Sequence, residues 1–202
     1  MINKNNMKYI KLRVDFEEAE KGRFYRIVLV KHDIILQELG SLLVLAFGGA
    51  LVHSFLFRTE TASYEPSVWV RATNDNAGNK RKTYAHCDHT IKELPTNFLF
   101  WYDTGDDWTF ICKKYQKEVE RKSKEDIIVL EGAGNGIWED NKSTLIAYLE
   151  GEIKDDNCNE KNEKKGFYKP WNVHIKKFSD FDQPINIKAI HNYIKQNRMS
   201  KK

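Results

Sequence analysis

The chain of 202 residues is 41% hydrophobic and 31% charged, a composition typical of an ordered soluble protein and unlike that of a disordered chain. Its 33 basic and 29 acidic residues leave a net charge of +4, which alone is too small to indicate a nucleic-acid partner. The length favours one domain over residues 1–202. Cys87, Cys112 and Cys158 form no CxxC pair and follow no secretory leader, so we expect a cytoplasmic location.

The start of the chain has the pattern of two strands followed by a helix. YIKLRVDF (Tyr9–Phe16) alternates apolar with charged residues, and FYRIVLV follows a polar turn, which predicts an antiparallel hairpin. Apolar residues then recur at three- and four-residue spacing from Ile35 to Phe47. They predict a helix that is capped by Asp33, ends at Gly48 and packs one face on the sheet.

One uncharged segment bears on the prediction that the protein has no contact with a membrane. LGSLLVLAFGGALVHSFLF (Leu39–Phe57) has nineteen residues and no formal charge, which is long enough to cross a bilayer. Gly48 and Gly49 divide it into a helical and an extended half, and His53 and Ser54 are polar groups that are costly in lipid. We therefore predict that the segment does not span a membrane, and that HSFLF is a third strand.

The segment FLFWYDTGDDWTF (Phe98–Phe110) places aromatic residues on both sides of a single glycine. It predicts a β-hairpin about TGDD in which Asp103 lies opposite Trp108. This register divides the side chains between two faces, with Leu99, Trp101, Asp103, Trp108, Phe110 and Cys112 on one and Phe98, Phe100, Tyr102 and Ile111 on the other. Because both faces are apolar, we expect the hairpin in the middle of a sheet that is covered on each side.

The remaining segments complete a predicted α+β fold. Residues 60–84 and 152–166 are polar enough to predict flexible loops, and residues 197–202 a frayed tail. Ser143–Leu149 and the closing IKAIHNYIK predict helices. The order strand, strand, helix, strand, hairpin is β-grasp-like. It predicts a single mixed or antiparallel sheet with one main crossing helix and C-terminal helical elements.

Clustered carboxylates form the first candidate site. Asp103, Asp106 and Asp107 lie in the hairpin loop, and Glu139 and Asp140 lie in the glycine-bearing stretch GAGNGIWEDN. Carboxylate oxygens bind Mg²⁺ or Ca²⁺, so the two loops, together with His53, predict a divalent metal site if they meet. The alternative is that Asp103 and Asp106 accept backbone N–H bonds in a tight turn, while Asp107 stays in solvent.

The stretch His86-Cys87-Asp88-His89 is a second candidate, because imidazole and thiolate ligands at this spacing could begin a zinc site. No second ligand pair follows at zinc-finger spacing, so Cys112 and His53 would have to complete it. The alternative is that Asp88 or Thr90 caps the turn TIKELP and that the histidines are exposed.

Other chemistry has less support in the sequence. There is no GxSxG elbow, and GAGNG lacks the ending of a phosphate-binding P-loop. Lysines of NEKKGFYKPW lie among Phe167, Tyr168 and Trp171, which could stack bases beside phosphate contacts. The alternative is a solvated basic surface, since acidic residues are mixed into the same run.

Several segments together resemble the plasmid pRiA4b ORF-3-like family. FLFWYDTGDDWTF is similar to the family's hairpin F-x-Y-x-YDFGDDW-x-H, and HSF to the second half of its HLHEF strand. LEGAGNGIWEDN is similar to its G-x-G-x-x-PPED-x-GG loop, and FDQPINIKAIHNYIK to its closing helix. The chain departs from the pattern at Gly49, Leu51 and Phe110, the last in place of the histidine after GDDW. The resemblance implies an α+β fold and a frequent association with mobile DNA, with no established activity to transfer.

Three functions follow as hypotheses. The first is a non-enzymatic binding or adaptor protein with a protein partner, contacted through Trp108 and Trp138 at the edge formed by the GDD and WED loops. The alternative is a metal-dependent hydrolase acting on a phosphate-containing substrate through the carboxylates and His53. A DNA-associated role is third. No cofactor other than a divalent metal is expected.

Overall fold

The computed structural model describes residues 6–73, 81–153 and 181–197. Within these ranges nine strands form one mixed sheet beside four α-helices, which confirms the predicted α+β class. The strands are β1 (Met7–Phe16), β2 (Tyr25–Lys31), β3 (Phe55–Arg58), β4 (Ala62–Glu65), β5 (Lys82–Ala85), β6 (Asn97–Tyr102), β7 (Trp108–Lys114), β8 (Val119–Arg121) and β9 (Ile127–Ala133). The helices are α1 (Leu36–Ala46), α2 (Ser67–Thr73), α3 (Lys142–Leu149) and α4 (Ile187–Asn197), and a 3₁₀ turn spans Ile91–Glu93.

The sheet runs in the order β5-β4-β3-β6-β7-β1-β2-β9, and β8 extends the pairing along β1. The predicted hairpin of β1 and β2 is present, with Tyr9 opposite Lys31 at one end and Asp15 opposite Tyr25 at the other. β6 and β7 lie at the centre, as predicted. Every pairing is antiparallel except that of β4 with β5.

The register of the central hairpin differs from the prediction by one residue. Trp108 pairs with Tyr102 and not with Asp103. The loop therefore holds the five residues 103–107, and it closes on a hydrogen bond of 2.6 Å from the Asp107 N–H to the Asp103 carbonyl. Asp103 and Asp107 both have a positive φ, 52° and 63°, a conformation that Asp tolerates better than most residues. The predicted division of side chains between the two faces was wrong for this reason.

The two faces of the hairpin also differ in burial. Alternate residues face the core with almost no exposure, namely Phe98, Phe100, Tyr102, Trp108, Phe110 and Cys112. On the opposite face Ile111 is 44% exposed, while Leu99 and Trp101 are half-buried. The core therefore lies on one side of the hairpin, and the expectation of full cover on both faces was wrong.

Helix α1 fills the core side. It begins at Leu36 after the N-cap residue Ile35, which makes no side-chain cap bond, so the expected cap by Asp33 was wrong. Its end is as predicted, with Gly48 at a φ of 86° directly after the C-cap residue Phe47. Gly40 permits a close approach to β3, since a Cβ there would lie 2.1 Å from the Phe55 ring. Among the described residues, no helix combines the length and apolar character needed to cross a membrane.

The predicted loop at 60–84 contains regular structure. Residues 62–65, 67–73 and 82–85 form β4, α2 and β5, and β5 pairs in parallel with β4 from Ala62 opposite Lys82 to Glu65 opposite Ala85. The loop prediction was wrong for these residues, because tertiary pairing overrides weak local propensity. Residues 74–80, 154–166 and 198–202 of the predicted loops and tail lie outside the described ranges. The predicted later helices are present as α3 and α4.

Arg26 is fully buried on β2 and joins two distant parts of the core. Its guanidinium donates hydrogen bonds to the carbonyl oxygens of Ala46 (3.0 Å), Ala133 (2.6 Å) and Gly134 (2.8 Å), and to that of its neighbour Tyr25 (2.7 Å). It also stacks on the Phe47 ring, 4.8 Å from the centroid. Burial lowers the pKa of Arg26 to about 9, so the group is charged at neutral pH and stabilises the carbonyl end of α1.

Replacing Arg26 with methionine is expected to destabilise the protein by about 3 kcal/mol or more, because several buried carbonyl groups would lose their donor. Arg13→Met is the matched control, since Arg13 pairs with Asp15 near the surface and such pairs contribute about 1 kcal/mol or less. Urea unfolding of both variants measures the difference. Equal losses would contradict the structural role assigned to Arg26.

His191 connects α4 to the edge strand β9. Its Nε2 accepts a hydrogen bond of 2.9 Å from the Val129 N–H, which requires that nitrogen to be unprotonated. Burial lowers the pKa of His191 below 6.5, with the Glu125 charge opposing, and burial also lowers the pKa of His86. The folded protein therefore binds fewer protons at these groups than the unfolded chain does.

The contribution of His191 and His86 to the free energy of unfolding is expected to be fully present above about pH 6.5 and to fall as the pH drops below this value, because protonation then favours the unfolded chain. His191→Gln retains an acceptor and removes one titrating group, so the slope between pH 6.5 and 5.5 should decrease. Urea unfolding at several pH values tests this. An unchanged slope would exclude His191 as a source of the acid sensitivity.

Candidate metal centre

The site begins where β3 and β6 lie side by side. Phe55 pairs with Tyr102, and the Asp103 N–H donates to the Ser54 carbonyl at 3.0 Å. This register places His53, just before β3, beside Asp103, just after β6. The Nε2 atom of His53 lies 3.4 Å from Oδ2 of Asp103. Strand pairing therefore assembles the first two groups, although they are fifty positions apart in the chain.

Glu139 reaches the same place from the loop between β9 and α3. The Ile137 N–H donates to the carbonyl of Phe47 at 2.7 Å, at the end of α1. Asn135 donates its N–H to the Phe181 carbonyl and its side-chain amide to the Gln183 carbonyl, both at 3.0 Å. The loop is thus fixed between α1 and the chain segment that leads into α4.

The Glu139 carboxylate is 9% exposed and firmly held. Its Oε1 accepts hydrogen bonds from the Ala50 N–H (2.6 Å) and the Tyr102 hydroxyl (2.9 Å). A Cβ at Gly49 would lie 3.1 Å from Oε1 and 2.5 Å from the Val44 side chain, so glycine leaves the space that the carboxylate occupies. Burial raises the pKa of Glu139, and the hydrogen bonds only partly oppose this effect.

One ligand atom from each of His53, Asp103 and Glu139 lies within 4.8 Å of the others. Nε2 of His53 lies 3.2 to 3.9 Å from carboxylate oxygens of Asp140, Asp103 and Glu139, yet it satisfies hydrogen-bond geometry with none of them. Asp103 and Glu139 are almost fully buried, while the side chains of His53 and Asp140 are 30% and 42% exposed. The cluster is therefore open to solvent on one side.

Asp103 combines the turn geometry of one sequence-based alternative with the position that the other requires. Its Oδ1 accepts the N–H groups of Gly105 (3.1 Å) and Asp106 (3.4 Å) in the turn, while Oδ2 faces His53. The turn thereby fixes the orientation of the oxygen that points into the cluster. A carboxylate held in this way by backbone N–H groups loses little further freedom on binding an ion.

The other two predicted ligands of the hairpin loop point elsewhere. Oδ2 of Asp106 lies 3.5 Å from the Lys142 N–H, at the start of α3. Asp107 is exposed, and its carbonyl accepts a hydrogen bond from Nζ of Lys142, which also pairs with Glu18. These contacts tie the hairpin loop to α3 and leave both carboxylates outside the three-residue cluster.

Trp108 and Trp138 do not form a contact surface. Trp108 has 0% exposure and packs against Phe16, with ring centroids 5.3 Å apart. Trp138 is 3% exposed and lies edge-on to Phe181 at 6.0 Å. The predicted contact role of Trp108 failed because the observed register places this residue on the core-facing side of the hairpin. Both indole rings therefore belong to the packed core and not to an exposed edge.

The residues of the second candidate diverge. His86 stacks on the Phe55 ring at 5.2 Å, and His89 contacts the Glu93 carboxylate at 2.5 Å. Glu93 also accepts the Thr90 N–H at 2.7 Å, one half of a capping box on the 3₁₀ turn. Within the described ranges these histidines join no group of three metal-ligating side chains. Phe167, Tyr168, Trp171 and Cys158 lie outside those ranges.

The sequence did not reveal the groups that support Glu139, namely Tyr102, the Ala50 N–H and Gly49. The alternation in β6 assigned Tyr102 to a face but gave no partner for its hydroxyl. Burial and the Glu139 charge raise the pKa of Tyr102, so the hydroxyl remains a donor. The sequence held one signal of this support, namely Gly49. Gly48 already provides the positive φ at the end of the helix, so a second glycine indicates a position with no room for a side chain.

Residues 8–182 match the model of the family described as plasmid pRiA4b ORF-3-like protein. The chain belongs to this family. All three groups of the cluster, and Asp140 beside them, lie within the matched range. No curated protein matches the chain.

Among solved structures, this chain is similar to the crystal structure of MM3350, a protein of unknown function from Methanosarcina mazei Go1. The TM-score is 0.59 at 15% sequence identity, over 78% of this chain and 86% of the other. At this identity the likeness establishes the shared fold alone.

Glu139→Gln is expected to stabilise the metal-free protein by about 0.5–2 kcal/mol at pH 7, the usual size of a single stabilising substitution. A raised pKa means that the ionised carboxylate costs stability above about pH 4.5, and the cost grows as the pH rises through the folded-state pKa. Glutamine keeps an oxygen for Ala50 and Tyr102. Urea unfolding in EDTA measures the change, and a destabilised variant would show that the charge itself is structural.

Proposed function

We propose that this protein is a metal-dependent hydrolase whose divalent ion is bound by His53, Asp103 and Glu139. The observation that carries the proposal is the convergence of one imidazole nitrogen and two carboxylate oxygens within 4.8 Å. Ligand-to-metal distances of about 2.0–2.2 Å place such atoms roughly 3–4 Å apart around one ion. The distances of 3.4 and 3.9 Å from Nε2 of His53 to the Asp103 and Glu139 carboxylates fall in this range.

The charge balance supports the same assignment. Two almost fully buried carboxylates lie beside one histidine, and among the described residues no lysine or arginine forms an ion pair with either of them. Burying carboxylates together without a cation is costly. A divalent ion would offset that cost and would also favour the ionised form of Glu139.

The ligand set favours some metals over others. One imidazole with two carboxylates suits Zn²⁺ or Mn²⁺ better than Ca²⁺, which prefers six to eight oxygen ligands. Three protein ligands on one side leave coordination positions open, as in catalytic rather than structural sites. A metal ion in such a site lowers the pKa of bound water to near 7 and so supplies a nucleophile at neutral pH.

Asp140 has a distinct place in this proposal. Its carboxylate lies 3.2 Å from Nε2 of His53 on the solvent side of the cluster and is 42% exposed. It is positioned to accept a proton from water entering that side. The proposed substrate is a phosphate-containing molecule, because the developing charge on a phosphoryl group is stabilised by a divalent ion.

The other hypotheses have less structural support. The binding or adaptor role relied on Trp108 and Trp138, which are both buried. The DNA-associated role relied on residues 167–171, which lie outside the described ranges. Neither the description of the family nor that of the structural neighbour states an activity.

Metal binding is tested by stripping the protein with EDTA and adding Zn²⁺, Mn²⁺ or Mg²⁺ during thermal unfolding and calorimetric titration. Saturation with Zn²⁺ or Mn²⁺ should raise stability by about 2.7 kcal/mol at a hundredfold excess over Kd. Asp103→Asn and His53→Gln should each weaken binding by about 100-fold or more, since even supporting residues of metal sites contribute about 10–100-fold.

Asp107→Asn is the matched control, because Asp107 lies in the same loop with the same positive φ but outside the cluster. It should bind metal as the unmodified protein does. No response of the unmodified protein to any of the three ions would refute the metal centre. Metal binding without turnover of phosphomonoesters or phosphodiesters would retain the centre and refute the hydrolase.

A further inference from the structure

Three nitrogen–hydrogen donors lie buried without an acceptor on the face of the sheet that points away from α1. They are Nε of Arg58, Nε of Arg81 and Nε1 of Trp101. Buried donors of this kind are rare, because each costs about 1–3 kcal/mol and more when charged. Three of them in one region of the sheet suit a binding partner that supplies acceptors.

The strand register places Arg58 and Trp101 together. Arg58 ends β3 opposite Leu99 of β6, and Trp101 follows Leu99 two positions later on the same face. The guanidinium carbon of Arg58 lies 4.2 Å from the centroid of the Trp101 ring. This stacking fixes the plane of the guanidinium group.

Arg81 approaches from the other side. It directly precedes β5, and Thr83, two residues later, pairs with Ser63, which in turn pairs with Arg58. Arg81 lies one residue before β5, and continuing the alternation of that strand would place it on the face of these residues. The positive charge of Arg81 contributes, after burial, to lowering the pKa of Arg58, which agrees with two neighbouring guanidinium groups.

Acidic groups near Arg58 do not neutralise the pair by direct contact. Glu65 and Asp107 both act on Arg58 through their charge. The Glu65 carboxylate, however, accepts a hydrogen bond of 2.6 Å from the Ser63 hydroxyl. Among the described residues, no carboxylate forms an ion pair with Arg58 or Arg81. Arg13, on the same sheet face, is instead held by three hydrogen bonds to Asp15.

We propose that Arg58, Arg81 and Trp101 form a binding site for a small phosphate group, either free phosphate or a phosphomonoester. Two guanidinium groups and an indole N–H supply donors only, and a phosphate dianion supplies several acceptor oxygens and the matching charge. Two guanidinium charges match one phosphate dianion, whereas a nucleic-acid polymer calls for a larger basic surface. The site does not depend on the metal centre, and it goes beyond the proposed hydrolase.

The test is an NMR titration of the full chain in EDTA, observing the Nε–H signals of arginine and the indole Nε1–H signals. Inorganic phosphate should cause saturable shifts of Arg58, Arg81 and Trp101, and chloride at equal ionic strength should not. The Arg13 signal should stay in place. Shifts that are linear in concentration, or equal for chloride, would overturn the proposal.

Variants sharpen the test. Arg58→Lys and Arg81→Lys keep the charge but lose the forked donor geometry, and each should weaken phosphate binding by about tenfold or more. Arg13→Lys is the matched control and should bind normally. Glu65→Gln removes an opposing charge and should tighten binding. Unchanged affinity in both Arg58→Lys and Arg81→Lys would refute the site.

The source of the phosphate is distinguished by comparing inorganic phosphate, a nucleoside monophosphate and a single-stranded oligonucleotide without terminal phosphate. Binding of either small molecule supports the proposal. Preference for the oligonucleotide, with a steep dependence on salt, would overturn it in favour of nucleic acid. Because all titrations contain EDTA, loss of the metal centre and loss of this site give separate results.

Discussion

The contacts of Arg26 determine how the two halves of the proposed metal centre meet. Its guanidinium binds Ala46 at the end of α1 and Ala133 and Gly134 at the end of β9. The chain leaving α1 leads through Gly49 and Ala50 to His53, and the chain leaving β9 leads to Glu139. A buried charge is expensive unless all its hydrogen bonds are made. When Arg26 makes all of these hydrogen bonds, the end of α1 and the end of β9 are held in one relative position.

The hairpin loop contributes a second constraint of a different kind. Its five residues need two aspartates in a left-handed conformation, and the first of them, Asp103, divides its oxygens between the turn and the cluster. Asp106 and Lys142 then connect the loop to α3, directly after Glu139 and Asp140. Local turn chemistry and long-range assembly thus depend on the same few residues, which leaves little freedom to replace any one of them.

The sequence predicted much of this architecture because period and turn signals are strong in the core. The alternation in β1 and the spacing in α1 identified both elements, and FLFWYDTGDDWTF identified the central hairpin. Its register was wrong by one residue, since the sequence does not show whether Asp103 belongs to the strand or to the loop. The short strands β4 and β5 were missed, because four residues carry too little periodicity to distinguish a strand from a loop.

The site was predicted as a set of candidates rather than as an arrangement. Four of the predicted residues lie together, namely His53, Asp103, Glu139 and Asp140. Asp106 and Asp107 point away, and the spacing of the aspartates in the loop does not show which of them faces the site. The support from Tyr102 and Ala50 depends on the position of α1 relative to β6, which is a tertiary property. Burial of Trp108 and Trp138 likewise follows from register and loop placement.

Tyr193 of α4 donates a hydrogen bond of 3.0 Å to the carbonyl of Gly49, and Phe181 and Gln183 accept hydrogen bonds from Asn135. The last described segment of the chain thus braces both loops that carry Glu139 and its support. A chain shortened before Phe181 would lose the hydrogen bonds that brace Gly49 and Asn135. The placement of Glu139 therefore depends on residues that follow it in the chain, although the strand pair beside His53 and Asp103 does not include them.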